Sequence, residues 1–162
     1  MAFINEATHA TTDPHTQRVY ARQTRAFGYL PNYAPLFSHR PEVIDRWSDL
    51  QKSMRANMSV RVFELVTLAA AIALKSSYCA LAHSAALRKE FSDKEIVGLV
   101  SGKHKSIVSE AEAAAMDYAA QVAKDANAVT ISAIERLRKT GFSDAEIFDI
   151  AAVAAGRAFF RN

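Results

Sequence analysis

Residues 59–90 read SVRVFELVTLAAAIALKSSYCALAHSAALRKE, and this stretch decides the fold. Ser59 can cap a helix running from Val60 to about Leu74, because a serine oxygen accepts a hydrogen bond from an early helix N–H. Leu65, Leu68, Ala69 and Ile72 give that helix an apolar stripe. Ser76 or Ser77 can cap a second helix running to about Glu90. In one unbroken helix, Glu64 would stand roughly 22 Å from Cys79 at the usual 1.5 Å rise per residue. The serine pair is a credible break between about Leu74 and Ser77. It would fold the second helix back on the first and place Cys79 in the second helix's first turn.

The same pattern extends in both directions. Thr16–Phe27 is a short helix candidate, and residues 28–35 (GYLPNYAP) form a turn region, since Pro31 and Pro35 restrict the residues before them. Pro41 fits the first turn of a helix to about Asn57, with Val43, Ile44, Trp47, Leu50 and Met54 on one side. Ser92–Glu95, Ser109–Glu112 and Ser143–Glu146 are capping boxes that start helices near 93, 110 and 144. Another helix near 131–139 ends at Gly141. No segment alternates as a strand would. Of 162 residues 31 are Ala, the best helix former, which also weighs against a β fold. The expectation is an all-α, compact multi-helix bundle of about eight helices. Residues 1–15 read as an extended arm and 16–162 as a single domain.

A faint repeat accompanies this. Leu87-Arg88-Lys89 and Phe91-Ser92-Asp93-Lys94-Glu95-Ile96 recur as Leu137-Arg138-Lys139 and Phe142-Ser143-Asp144-Ala145-Glu146-Ile147. Either an old helical duplication or convergence on a good N-cap sequence accounts for it. Fifty residues beyond Cys79 and His83 stand Val129 and Ala133, so a second copy would carry no chemistry.

Composition narrows the functional classes. One cysteine excludes an internal disulfide and any multi-cysteine metal cage. A net charge of +3, with basic residues spread along the chain, gives little reason to expect nucleic acid or an anionic membrane. The Leu137–Ile147 corner resembles a helix-turn-helix. However, Ile147, Phe148, Ile150, Ala151, Val153, Ala154, Phe159 and Phe160 leave little polar surface to read bases. Met1–Pro14 lacks the apolar run of a signal peptide, and Leu65–Leu74 is too short to span a bilayer. A cytoplasmic protein without cofactor or metal is expected.

The chemistry concentrates in three residues. Cys79 and His83 lie four apart on one helix face, so the imidazole can take the thiol proton directly or through one water. A helix N-terminus favours the thiolate, the reactive form. Glu64 is a carboxylate among aliphatic neighbours. Each has a bland reading: a lone cysteine is usually a small buried hydrophobe, a lone histidine a surface or core residue, and a glutamate among aliphatics can snorkel.

Glu64-x11-Ser76-Ser77-Tyr78-Cys79-x3-His83 resembles the signature of the alkylhydroperoxidase D-like, or carboxymuconolactone decarboxylase-like, family. It is most similar to the peroxidase-related branch. Gly28–Tyr33, Phe37–Glu42 and the tail from Gly141 through Phe160 resemble that branch too. The resemblance implies an all-α fold assembling as a dimer, trimer or hexamer. It also implies that Cys79 is the cysteine attacked by peroxide, His83 the base beside it and Glu64 the relay carboxylate. Tyr78 sits where some members place another relay residue. Ser76 stands where the partner cysteine would be, so the two-cysteine cycle is absent. The resulting expectation is reduction of a small hydroperoxide at Cys79, with an external thiol as reductant. Two other readings are a decarboxylase-like acid–base enzyme, in which Cys79 is incidental, and a non-catalytic helical oligomer with a vestigial site.

Overall fold

The computed structural model describes residues 4–160. Among them, eight α-helices run in chain order: α1 Pro14–Phe27, α2 Pro41–Arg55, α3 Val60–Ala73, α4 Ser77–Leu87, α5 Asp93–Val100, α6 Glu110–Lys124, α7 Ile131–Lys139 and α8 Asp144–Gly156. Short 3-10 turns occupy Ala34–His39, His104–Ser106, Ala126–Ala128 and Arg157–Phe160. No strand occurs among the described residues, and the all-α expectation holds. The chain divides between Ser53 and Met54 into two compact units.

In the first unit, α1 opens at Pro14 rather than Thr16. Asp13 explains the difference: its carboxylate accepts the Thr16 N–H at 2.6 Å while Pro14 takes the first helical position, where no N–H is needed. Residues 7–13, ahead of the helix, turn on themselves through bonds from Ala10 N–H to Ala7 O (3.0 Å) and from Asp13 N–H to His9 O (2.8 Å). Residues 1–3 of the expected arm lie outside the described residues. Asp45 of α2 ties back to α1 through His15 Nε2 at 2.7 Å and Arg22 Nη2 at 2.5 Å.

The second unit is organised around α3, which packs against α6 and α4 and also against α8. Its residues Leu65–Ala71 are all buried, so this helix is apolar on nearly every side. Ala69, Ala70 and Ala71 of α3 and Ala113, Ala114, Ala115 and Ala119 of α6 are all buried. These alanine faces are therefore largely covered within the chain. The charged side chains of α3 are cross-links, whereas its buried Thr67 hydroxyl donates back to Phe63 O at 2.7 Å. Arg61 donates to Glu112 of α6 at 2.5 Å and to Glu90 at 2.9 Å, with its guanidinium 4.3 Å from the Phe91 ring centre. Glu112 also closes the Ser109 capping box, so one carboxylate serves both a helix start and an inter-helix tie.

The two repeated corners have matching contacts. Leu87 and Leu137 are buried, and both capping boxes are formed. Arg88 pairs with Asp93 (3.1 Å) as Arg138 pairs with Asp144 (2.8 Å). Ser59 and Ser109 cap α3 and α6 in the same way. The correspondence therefore extends from a corner to three helices, α3–α4–α5 against α6–α7–α8.

The reversal between α3 and α4 sets up the site. Lys75 N–H donates to Ile72 O and Ser76 N–H to Ala71 O, both at 2.9 Å, with Lys75 at φ +56. This double bond pattern with a left-handed residue satisfies the last helix carbonyls and ends the helix sharply. Helices α5 and α7 end the same way, but on Gly102 and Gly141. Only α3 uses a residue with a Cβ, at a cost of about 1 kcal/mol. Lys75→Val, which adds a β-branch to a left-handed residue, should therefore destabilise the fold by roughly 1–2 kcal/mol, while Lys75→Gly should not. Chemical denaturation midpoints check both, and equal midpoints for the two variants would refute the assignment.

Asp117 of α6 accepts from His104 (2.8 Å) and Arg136 (2.8 Å) and pairs with Lys105 (3.2 Å), joining α6 to α7 and to the 3-10 turn. Burial pushes its carboxyl up, but the bonds from Arg136, His104 and Lys105 outweigh burial and hold it below the ordinary 3.8. A depressed folded-state value contributes stability above the unfolded value and loses it as pH falls. Asp117→Asn should cost stability near neutral pH, and its gap to wild type should close below about pH 4. Urea unfolding across that range tests it.

Candidate functional site

α4 opens at Ser77, so Cys79 is the third residue of its first turn, as the sequence pattern suggests. The residue is buried, 9% exposed. A helix N-terminus presents free N–H groups and a positive field, which favours a thiolate over a thiol. One turn later on the same face is His83. Its Nδ1 lies 2.6 Å from Glu64 Oε2, with the two side chains only 17% and 12% exposed. The reversal at Lys75 thus brings Glu64 to His83, although nineteen residues of sequence separate them.

A carboxylate can only accept from the imidazole, so the bond places the proton on Nδ1 and leaves Nε2 as the open, basic nitrogen. Glu64 has aliphatic neighbours on α3, and a carboxylate that is almost buried needs such a partner. Next to it, Phe63 meets the His83 ring with planes 70° apart and centroids 6.4 Å apart. Among the described residues the Cys79 sulfur makes no hydrogen bond, so the structure brings Glu64 and His83 into contact and leaves Cys79 beside them. Ser76 occupies the N-cap position with extended backbone, but its hydroxyl makes no capping bond. Tyr78 lies on the exposed side of the same turn. No group of three or more His, Cys, Asp or Glu among the described residues could hold a metal ion. A separate hollow of about 530 Å³ lies along Ser109, Glu110, Arg136 and Lys139, and contains none of these site residues.

Two features escape the sequence pattern. Lys75 gives no sign that it adopts a left-handed backbone, since glycine is the usual signal there. Phe63 reads as one more core aromatic, and only the α3–α4 packing puts it against His83.

A helical chain with cysteine and histidine one turn apart, and the histidine held by a glutamate from the preceding helix, is of the alkylhydroperoxidase D-like kind. The chain belongs to the carboxymuconolactone decarboxylase family, whose model matches residues 41–125. It is similar to a solved structure described as an alkylhydroperoxidase AhpD core, an uncharacterized peroxidase-related protein from Ralstonia eutropha JMP134. Identity is 25% and TM-score 0.78, covering 94% of this chain and 83% of that one. An uncharacterized peroxidase-related protein from Silicibacter sp. TM1040 is 21% identical with TM-score 0.81, covering 99% and 87%. The debrominase Bmp8, solved as a cysteine-to-alanine variant in complex with 2,3,4-tribromopyrrole, is 18% identical with TM-score 0.78, also covering 99% and 87%. The last two likenesses concern the fold alone. No curated protein matches the sequence.

The Glu64–His83 contact predicts strong coupling. His83→Ala should cost roughly 1–3 kcal/mol, because it leaves the Glu64 carboxylate buried without its partner. Glu64→Gln in the same chain should recover part of that loss, with a coupling of about 0.5–3 kcal/mol. A double-mutant cycle from urea denaturation measures it, and additive losses would mean the bond is absent in solution.

Proposed function

We propose that the protein reduces alkyl and related hydroperoxides at the single thiol of Cys79 and is regenerated by an external thiol. The observation that carries this reading is the 2.6 Å bond from His83 Nδ1 to Glu64, one helical turn beyond Cys79. It leaves Nε2 as a base on the cysteine's own helix face. His83 Nε2 takes the thiol proton, directly or through one water. The thiolate attacks the terminal peroxide oxygen and the O–O bond breaks. The departing alkoxide recovers the proton from His83 and leaves as an alcohol, with Cys79 as a sulfenic acid. An external thiol then displaces water to form a mixed disulfide. A second thiol releases the Cys79 thiol and carries away the disulfide. Ser76 cannot form a disulfide, so no internal step substitutes for the external reductant.

Acid–base catalysis of the decarboxylase kind is the second reading. It is favoured by the completeness of the Glu64–His83 pair without any bond to sulfur. Assembly as a homo-oligomer belongs to the same proposal. Leu81 on α4, Val97 on α5 and Phe148 on α8 are each at least 65% exposed, which supports a partner surface. Among the described residues, no helix is long and apolar enough to cross a membrane.

Intact-mass measurement after brief cumene hydroperoxide exposure, with and without a sulfenic-acid trap, tests the reading. Addition of one oxygen at Cys79, lost on adding a small thiol, is expected. His83→Ala should slow it by about a hundredfold, the lower range for loss of a general base, and Glu64→Gln should slow it less. If Cys79 in the folded protein resists both iodoacetamide and excess hydroperoxide, the redox reading fails and the acid–base reading takes its place.

A further inference from the structure

We infer that Phe63 is a positioning residue for His83, fixing the imidazole in the orientation that the proposed thiol chemistry requires; the inference rests on that reading of the site. A single hydrogen bond at Nδ1 leaves an imidazole free to pivot about the bond. It can also turn over about its broad terminal torsion, which would exchange the nitrogen for a carbon. The Glu64 bond alone therefore does not aim Nε2.

Phe63 supplies the second constraint. Its ring is 3% exposed, so its own position is set by the core. It meets the imidazole edge-on, with planes 70° apart and centroids 6.4 Å apart, within the range of aromatic pairing. The guanidinium of Arg55 lies 4.5 Å from the Phe63 ring centre and holds that ring in turn. Phe63 and Glu64 are consecutive on α3, about 100° apart around the helix axis. Two adjacent side chains thus grip one imidazole by different forces, a charge-assisted bond at one nitrogen and ring packing on the ring itself. The apolar ring also excludes water from that side, and a lower local dielectric strengthens the Glu64–His83 bond.

The role is separable from core packing. Phe63→Leu keeps an apolar side chain and removes the ring. Arg55→Gln, at an exposed position, removes the cation over Phe63 without touching the core. In the ring-nitrogen NMR spectrum of the full chain, wild-type His83 should show one tautomer, with the proton on Nδ1. Phe63→Leu should give a mixture and slow oxidation of Cys79 by cumene hydroperoxide about tenfold, since small misplacements of reacting groups are costly. Arg55→Gln should move both readouts the same way by a smaller factor, about twofold.

A single unchanged tautomer in a folded Phe63→Leu chain overturns the inference, as does a mixed tautomer with an unchanged oxidation rate. If Phe63→Leu does not fold, Arg55→Gln decides on the same two readouts. Should wild-type Cys79 prove inert to hydroperoxide, the functional reading fails, while the tautomer spectrum still decides whether Phe63 orients His83.

Discussion

The candidate site depends on one left-handed residue. Lys75 at φ +56 lets the last carbonyls of α3 find partners within three residues and sends α4 back along α3. Without that reversal, Glu64 and His83 would lie on one rod far beyond hydrogen-bond reach. With it, they are 2.6 Å apart. Helices α5 and α7 make the same stop on glycine, where the backbone geometry costs nothing extra. The strained version of the motif thus falls at the corner that assembles the reactive groups. Strain of this kind persists only where the surroundings over-determine it. Here the surroundings are the buried α3 face and its packing on α6 and α4.

The repeat explains why the chemistry occurs only once. In the half formed by α6, α7 and α8, the positions fifty residues beyond Glu64 and His83 hold Ala114 and Ala133. Ala114 is buried and faces the shared core. The first helices of the two halves, α3 and α6, pack against each other, and small alanines on both allow this. A carboxylate in the second copy would have no imidazole opposite it and would be costly to bury. Glu64 is tolerated in the first copy because His83 stands opposite.

Much of this was readable in the sequence, and the reasons differ by element. Capping boxes at Ser92, Ser109 and Ser143 carry their own geometry, so the starts of α5, α6 and α8 follow from local chemistry. α1 starts two residues before Thr16 because Asp13 caps it and Pro14 takes its first position, a signal that apolar periodicity does not carry. The break near Ser76 and the pairing of Cys79 with His83 on one face were readable from helical spacing. The contact between Glu64 and His83 required the break to act as a tight reversal, and lysine gives no such signal. Phe63 was beyond reach for another reason: apolar pattern says that a side chain is buried but not which neighbour it meets. The same limit governs the alanines of α3 and α6: their apolar character does not say that the two helices cover each other.

A single-cysteine site places its demand on access rather than on geometry. Glu64 and His83 form a complete unit without a second thiol, and the idle Ser76 hydroxyl shows that the helix start does not require a side-chain cap. What is lost with the second cysteine is an attacking thiol already inside the site. Under the proposed cycle, the reductant must reach the sulfur of a residue that is only 9% exposed. Attack on a sulfenic sulfur needs a near-linear approach, so burial discriminates by size before chemistry begins. A small thiol can enter where a folded protein surface cannot, unless the first turn of α4 opens. In that turn Ser77 and Tyr78 are exposed, and the N-cap Ser76 makes no side-chain bond.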